Sequence, residues 1–154
     1  MTKLLVVVDM QYDFVMPDGA LYVPGAEKLL VPMIQHIMGY KACDVLYTMD
    51  THEPGEGDPG FKVHCLVGTA GREVVVPMRG SDRVPKRVFD VWADPRSRGY
   101  LEKYYPGRLD DEIEIVGVAA DYCVRYAYEG FKQRGFNVHV NPTLTVGIKE
   151  NPFS

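Results

Sequence analysis

The chain has 154 residues, of which 46% are hydrophobic and 25% charged, the composition of an ordinary globular protein. Its formal net charge of −4 gives no electrostatic reason to bind nucleic acid, and no apolar run approaches the ~20 residues that span a bilayer. We therefore expect a single domain over residues 1–154 in the cytoplasm, with neither nucleic acid nor a membrane as partner. Three cysteines are too few for a disulfide framework.

The predicted elements alternate between strands and helices. Apolar runs predict strands over residues 4–8, 45–49, 87–89, 114–119 and 136–140. Apolar residues at helical spacing predict one helix over 27–38 and another from 123 to Gly135. Pro32 lies inside the first helix, which therefore starts later or is kinked. This alternation predicts an α/β fold with three αβα layers and a mainly parallel sheet.

Polar side chains follow three of the predicted strands. Asp9 follows the first strand, Asp50 the second, and Cys123 comes just after the strand over 114–119. Ligands of open α/β sheets bind beyond the carboxyl ends of the strands. We therefore expect these three side chains to converge on one site.

Cys123 is the strongest candidate nucleophile, because it begins a predicted helix with Asp121 as a plausible N-cap. Amides at a helix N-terminus lower the pKa of a thiol and can stabilise a neighbouring oxyanion. The alternative is a small buried structural cysteine. Asp9 is either a general base for the thiol or a strand-end carboxylate that binds turn amides. Lys86 either stabilises developing negative charge or is a solvated lysine.

Asp50 and His52 are two residues apart and point the same way in an extended chain, so they can bind one metal ion together with His64. Two histidines and a carboxylate suit Zn²⁺, Fe²⁺ or Mn²⁺. Asp58 or Glu56 in the intervening loop would add an oxygen ligand. The alternative is a set of surface histidines without a metal.

Five segments in this order resemble the isochorismatase-like cysteine hydrolases, and within them the nicotinamidases. Those segments are residues 7–14 (VVDMQYDF), 19–26 (GALYVPGA), 48–52 (TMDTH) with 63–71 (VHCLVGTAG), Lys86 with its aromatic followers, and 116–124 (VGVAADYCV). The resemblance covers residues 4 to 141.

The resemblance implies a triad of Asp9, Lys86 and Cys123 that hydrolyses nicotinamide through a thioester. It also implies an oxyanion hole at the amides of Ala119 and Cys123, with a cis peptide at Val118–Ala119. The implied metal, with zinc favoured over manganese or iron, receives the pyridine nitrogen of the substrate. The remaining implications are a homo-oligomer, metal ligands at Asp50, His52 and His64, and aromatic contacts to the substrate ring from Phe14, Phe61 and Trp92.

Three alternatives stay open at the level of the sequence. A related cysteine hydrolase would act on another small amide or ureide, such as a carbamoyl compound. Two histidines and a carboxylate also occur in Fe(II) oxygenases, although the α/β pattern argues against that class. The third alternative is a catalytically inactive binding protein.

Overall fold

The computed structural model describes residues 3–79, 83–104 and 111–154. Within them, five parallel strands form one sheet in the order β3-β2-β1-β4-β5. The strands are β1 (Lys3–Val8), β2 (Val45–Asp50), β3 (Arg83–Lys86), β4 (Glu112–Val118) and β5 (Asn137–Val146). The α-helices of the described residues are α1 (Tyr12–Val15), α2 (Leu30–Met38), α3 (Pro95–Tyr104) and α4 (Cys123–Gln133). None of these helices has the length and apolarity to span a membrane.

The sheet has a hydrophobic core on each face, because successive side chains of a buried strand point to opposite sides. Leu5 and Val7 of β1 belong to the core that includes Met33 of α2. Leu4, Val6 and Val8 of the same strand belong to the other core, which includes Leu101 of α3 and Phe131 of α4. The three αβα layers and the parallel sheet agree with the sequence-based expectation.

Several elements differ from that expectation, among them the short helix α1, which was not predicted, and β5, which extends to Val146 rather than to residue 140. The third strand is Arg83–Lys86 rather than 87–89. The apolar Val88 and Phe89 misled the prediction, whereas the true strand contains Pro85, which is tolerated because β3 lies at the edge of the sheet. Helix α3 was not predicted, since its sequence is mostly polar and buries only a narrow face.

The position of Pro32 also has a simple explanation. A 3₁₀ turn over Ala26–Leu29 precedes α2, which begins at Leu30. Pro32 therefore lies in the first turn of the helix, where backbone N–H groups have no partner within the helix and the missing donor costs little. The first of the two expected outcomes, a later start of the helix, is the correct one.

The strand order places a crevice next to β1. From β1 the chain moves outward to β2 and β3, and then crosses to β4 on the other side of β1. A parallel sheet binds ligands at such a switch point, beyond the carboxyl ends of the strands. The residues that follow β1 and β4 therefore meet at the expected place for a site.

Candidate active site

Asp9 lies at the tip of β1 and is completely buried. Its backbone has a positive φ of 49°, and its N–H donates to the carbonyl and the hydroxyl oxygen of Thr48, both at 3.2 Å. The Thr48 hydroxyl in turn donates to Asp9 Oδ1 at 2.7 Å. Because Thr48 occupies Oδ1, the second oxygen is directed to the other groups of the site.

Lys86, the last residue of β3, connects these groups and is only 1% exposed. Its Nζ lies 2.8 Å from Asp9 Oδ2, 3.3 Å from Asp50 Oδ1 and 3.5 Å from Cys123 Sγ. Burial lowers the pKa of Lys86, but the carboxylates of Asp50 and Asp9 outweigh burial and raise it well above its usual value. Lys86 is therefore a buried ammonium held between two carboxylates.

Cys123 is the first residue of α4 and is 5% exposed. Burial raises the pKa of the thiol well above its usual value, and the opposing effect of Lys86 is not sufficient to reverse the shift. The lowering expected from the helix N-terminus is therefore not what the structure shows. The Asp9 carboxylate and the thiol both contact Lys86 Nζ, at 2.8 and 3.5 Å, so the carboxylate lies next to the thiol. Since the resting thiol is protonated, its reaction requires a base, and Asp9 is placed to be that base.

The loop before Cys123 corrects the predicted N-cap. Tyr122 occupies the N-cap position of α4, and no side-chain hydrogen bond caps the helix. Asp121 instead accepts the N–H groups of Ile148 and Lys149 at 2.8 and 2.9 Å. It therefore attaches the loop of the nucleophile to the segment that follows β5.

The peptide bond between Val118 and Ala119 is cis, as the family resemblance implies. The Ala119 carbonyl accepts the N–H groups of Tyr122 and Val124, both at 3.1 Å. These bonds turn the chain tightly at the end of β4. Cys123 lies in the first turn of α4, where backbone N–H groups have no acceptor within the helix.

Four buried side chains form a cluster beside Lys86. Single ligand atoms of Asp50, His52, Asp58 and His64 all lie within 4.8 Å of one another. Asp50 Oδ2 is 3.0 Å from His52 Nε2 and 2.9 Å from His64 Nε2. The backbone carbonyl of Lys62 lies 2.6 Å from His64 Nδ1, an arrangement that leaves Nε2 free to act as a ligand.

The fourth member of the cluster is Asp58, not Glu56. Asp58 Oδ2 lies 3.3 Å from His52 Nε2 and 3.2 Å from His64 Nε2. Glu56 is half-exposed and pairs with Arg87 at 3.8 Å. The sequence left this choice open, because both acids lie in the same Gly- and Pro-rich loop.

The chemistry of the cluster fits a divalent cation. Asp58 Oδ2 is buried without a hydrogen-bond partner. The hydrogen bond to Asp50 raises the pKa of His52 to about 9. Burial lowers the pKa of His64, but the neighbouring Asp50 and Asp58 carboxylates outweigh burial and raise the pKa to about 10. Two imidazoles and two carboxylates therefore favour positive charge between them, and this donor set is one that zinc, iron and manganese accept.

The three aromatic candidates lie in different places. The Phe14 ring packs against the ring of His64, with centroids 5.3 Å apart. Phe61 packs against Phe89 at 5.1 Å and Tyr122 at 5.5 Å, two aromatic residues that the sequence analysis did not select. Tyr122 directly precedes Cys123, so this aromatic group borders the nucleophile.

Trp92 packs elsewhere, and its contact with substrate stays a prediction from the sequence. Its ring lies against Phe131 at 5.0 Å, and the Arg134 guanidinium stacks over it at 4.0 Å. Phe131 is eight residues beyond Cys123, which corresponds to about 12 Å along the axis of a helix. Trp92 is a core residue that anchors the far end of α4.

Sequence reasoning missed two residues that hold the site in place. Thr48 orients Asp9, as described above. Gln11 accepts the N–H of Asp50 at 2.8 Å and donates to the carbonyls of Asp50 at 2.8 Å and Arg72 at 2.9 Å. Both lie in the motifs that carry the family resemblance, and that position was the available signal.

The family model of the isochorismatase domain matches residues 3–150. The chain therefore belongs to the isochorismatase family. The chain is 28% identical to the nicotinamidase of Saccharomyces cerevisiae, across 97% of this chain and 90% of that protein. It is 29% identical to the nicotinamidase/pyrazinamidase of Mycobacterium tuberculosis, across 95% and 87%.

A solved structure supports the same classification. The pyrazinamidase of Pyrococcus horikoshii in complex with zinc superposes with a TM-score of 0.81 at 29% identity, covering 96% of this chain and 88% of that one. The family and these relatives identify the chain as an amidohydrolase.

Proposed function

We propose that this chain is a metal-dependent cysteine amidohydrolase that converts nicotinamide to nicotinic acid and ammonia, acting as one domain over residues 1–154. The observation that supports this most strongly is that Lys86 Nζ lies 2.8 Å from Asp9 Oδ2 and 3.5 Å from Cys123 Sγ. These three groups lie beside the buried cluster of four potential metal ligands. The relatives named nicotinamidases support the substrate, as does a yeast nicotinamidase bound to the inhibitor nicotinaldehyde, which superposes with a TM-score of 0.78 at 26% identity.

The first half of the reaction forms the thioester. Asp9 accepts the thiol proton of Cys123, and the sulfur attacks the amide carbonyl carbon. The amides of Ala119 and Cys123 stabilise the oxyanion, and one such donor contributes about 2.7–4 kcal/mol. The proton on Asp9 then passes to the amide nitrogen, the C–N bond breaks, and ammonia leaves.

The second half releases the acid. Asp9 accepts a proton from water as the water oxygen attacks the thioester carbon. The C–S bond breaks, the sulfur recovers a proton, and nicotinic acid leaves. Throughout, the Lys86 ammonium holds the Asp9 carboxylate in position and offsets negative charge at the sulfur.

Asp50, His52, Asp58 and His64 would hold the metal, with zinc favoured over manganese or iron. When bound, the metal supplies a Lewis-acid position for the pyridine nitrogen, which orients the carboxamide toward Cys123. Phe14 beside His64 and Phe61 beside Tyr122 would flank the flat ring. The cytoplasmic location and the homo-oligomer stay predictions from the sequence.

The test is ammonia release from nicotinamide by the purified protein. We expect Cys123→Ala to lose at least about 10³-fold in kcat, because no other group replaces the nucleophile. The exposed Cys43 is the control, and Cys43→Ala should retain activity. A chelator should reduce the rate, and added zinc should restore it.

The related hydrolase and the inactive binding protein each have their own outcome in this assay. Full activity of Cys123→Ala would exclude the cysteine mechanism. Turnover of a carbamoyl compound without turnover of nicotinamide would identify the related hydrolase. The absence of turnover of either substrate would indicate an inactive binding protein.

A further inference from the structure

The Asp13 carboxylate, in helix α1, joins three segments that are distant in the chain. The side chain is 9% exposed, and neither the triad nor the four-ligand cluster includes it. Its Oδ1 accepts the N–H of Ala20 at 3.0 Å, and its Oδ2 accepts the N–H of Cys65 at 2.8 Å. Gly71 packs against the same carboxylate so closely that a Cβ there would lie 2.1 Å from Oδ2. The carboxylate is therefore enclosed and holds a defined position.

The Cys65 peptide, whose N–H donates to Asp13, is connected to both histidines of the cluster. Cys65 directly follows His64 and has a positive φ of 50°, a conformation that a non-glycine residue rarely adopts without support. The Cys65 carbonyl accepts the N–H of His52 at 3.0 Å. The backbone of Cys65 thus connects the backbones of the two histidines, and its amide group is fixed by Asp13.

Helix α1 supports the same histidine from a second side. Phe14, the next residue after Asp13, packs its ring on the imidazole of His64. The Nε2 atoms of His64 and His52 lie 2.9 and 3.0 Å from Asp50 Oδ2. A shift of the Cys65 peptide would change both of these distances.

We propose that Asp13 is a positioning residue for the metal, which acts through Cys65 to set the spacing of His52 and His64. This inference rests on the proposed metal site. A carboxylate is required because each oxygen accepts one N–H. An asparagine has a single oxygen, and its amide hydrogens would face one of the two N–H donors.

The test compares the zinc affinity of the wild type and Asp13→Asn by competition with a chromophoric chelator. Loss of an outer partner of a metal ligand typically costs 10–100-fold in metal affinity, and we expect a decrease in this range. Asp94→Asn is the matched control. Asp94 is 8% exposed and also accepts two backbone N–H groups, from Arg87 at 3.0 Å and Arg96 at 2.9 Å, in the connection between β3 and α3.

Urea unfolding of the metal-free proteins separates positioning from a general structural role. Both variants should lose stability, but only Asp13→Asn should lose zinc affinity. If Asp13→Asn does not fold, Gly71→Ala provides the test, since its Cβ would displace the charged Asp13 side chain from the Cys65 N–H. Unchanged zinc affinity in the folded variant would overturn the role of Asp13. Zinc binding that is insensitive to Asp58→Asn would instead refute the proposed metal site itself.

Discussion

At the scale of single residues, the two oxygens of one carboxylate have different partners. Asp50 Oδ1 faces the Lys86 ammonium at 3.3 Å, and Oδ2 faces the two imidazoles of the cluster. Burial raises the pKa of Asp50, but Lys86, His52 and His64 outweigh it and lower the pKa far below its usual value. Asp50 therefore remains ionised and contacts both Lys86, which lies beside Cys123, and the two histidines of the metal cluster.

The two oxygens of Asp9 also have different partners, since Oδ1 accepts from Thr48 and Oδ2 faces Lys86. This arrangement leads to a prediction for Thr48. Thr48→Val removes the hydroxyl that donates to Asp9 Oδ1 while keeping nearly the same volume. A hydrogen bond to a charged group contributes about 1.5–3 kcal/mol, so kcat should fall roughly 10–100-fold. The measurement is the steady-state rate of ammonia release, with kcat and KM determined separately.

Thr48→Ser is the control, because it keeps the hydroxyl and removes only a methyl group. It should retain kcat within about threefold, since the hydrogen bond to Asp9 is preserved. If the two variants lose kcat equally, the hydroxyl does not orient Asp9.

At the scale of elements, helix α4 packs closely against Trp92 at Gly130. A Cβ on Gly130 would lie 2.1 Å from Cδ1 of Trp92, whose ring packs against Phe131. This contact explains why a helix that begins with the nucleophile contains a residue of poor helix propensity. It also assigns Trp92 a packing role that its position in the sequence did not indicate.

Gly130→Ala should destabilise the protein. Overpacking a core costs about 1–3 kcal/mol, which exceeds the gain of about 1 kcal/mol from replacing glycine by alanine in a helix. Gly99→Ala in α3 is the matched control, because nothing lies within 4 Å of its Cβ position, and it should stabilise by about 0.5–1 kcal/mol. Urea unfolding measures both, and equal changes in the two variants would contradict the assigned contact.

At the scale of the whole molecule, the buried carboxylate of Glu114 links helix α2 to the sheet, at a place distant from the catalytic groups. Glu114 of β4 is 4% exposed and accepts hydrogen bonds from Tyr40 at 2.6 Å and Asn141 of β5 at 3.1 Å. The Nε2 atom of His36, in α2, lies 2.5 Å from Glu114 Oε1, the oxygen that also accepts the hydrogen bond from Tyr40. Burial raises the pKa of Glu114, but these partners outweigh it and lower the pKa below its usual 4.5.

A lowered carboxyl pKa makes stability depend on pH in a defined direction. The contribution of Glu114 is complete above the unfolded pKa near 4.5 and is lost as the pH falls through the lower folded value. Glu114→Gln should therefore reduce the free energy of unfolding by about 2 kcal/mol at neutral pH. The difference from wild type should shrink below about pH 4, where the wild-type carboxyl begins to protonate. Urea unfolding across this range checks the sign, and a constant difference would contradict it.

Much of the site was predictable because the strands are parallel. Asp9, Asp50 and Cys123 follow buried apolar runs, so they lie at the carboxyl ends of parallel strands, on the same side of the sheet. Lys86 was selected through the family motif even though its strand was misplaced. The choice of Asp58 over Glu56 was not predictable, because it depends on the contacts that Asp58 makes with His52 and His64 and not on the sequence of the loop.

The amino-acid sequence by itself determined the α/β class, the positions of the main strands along the chain and the residue types of the site, because these follow from local periodicity and from short motifs. Only the tertiary structure decided how the groups are used: a protonated buried thiol, a lysine between two carboxylates, and a tryptophan in the core. The reason is physical, since burial and charge proximity arise between residues that are far apart in the chain. Asp9 and Lys86, which meet at 2.8 Å, come from strands that are not even neighbours in the sheet.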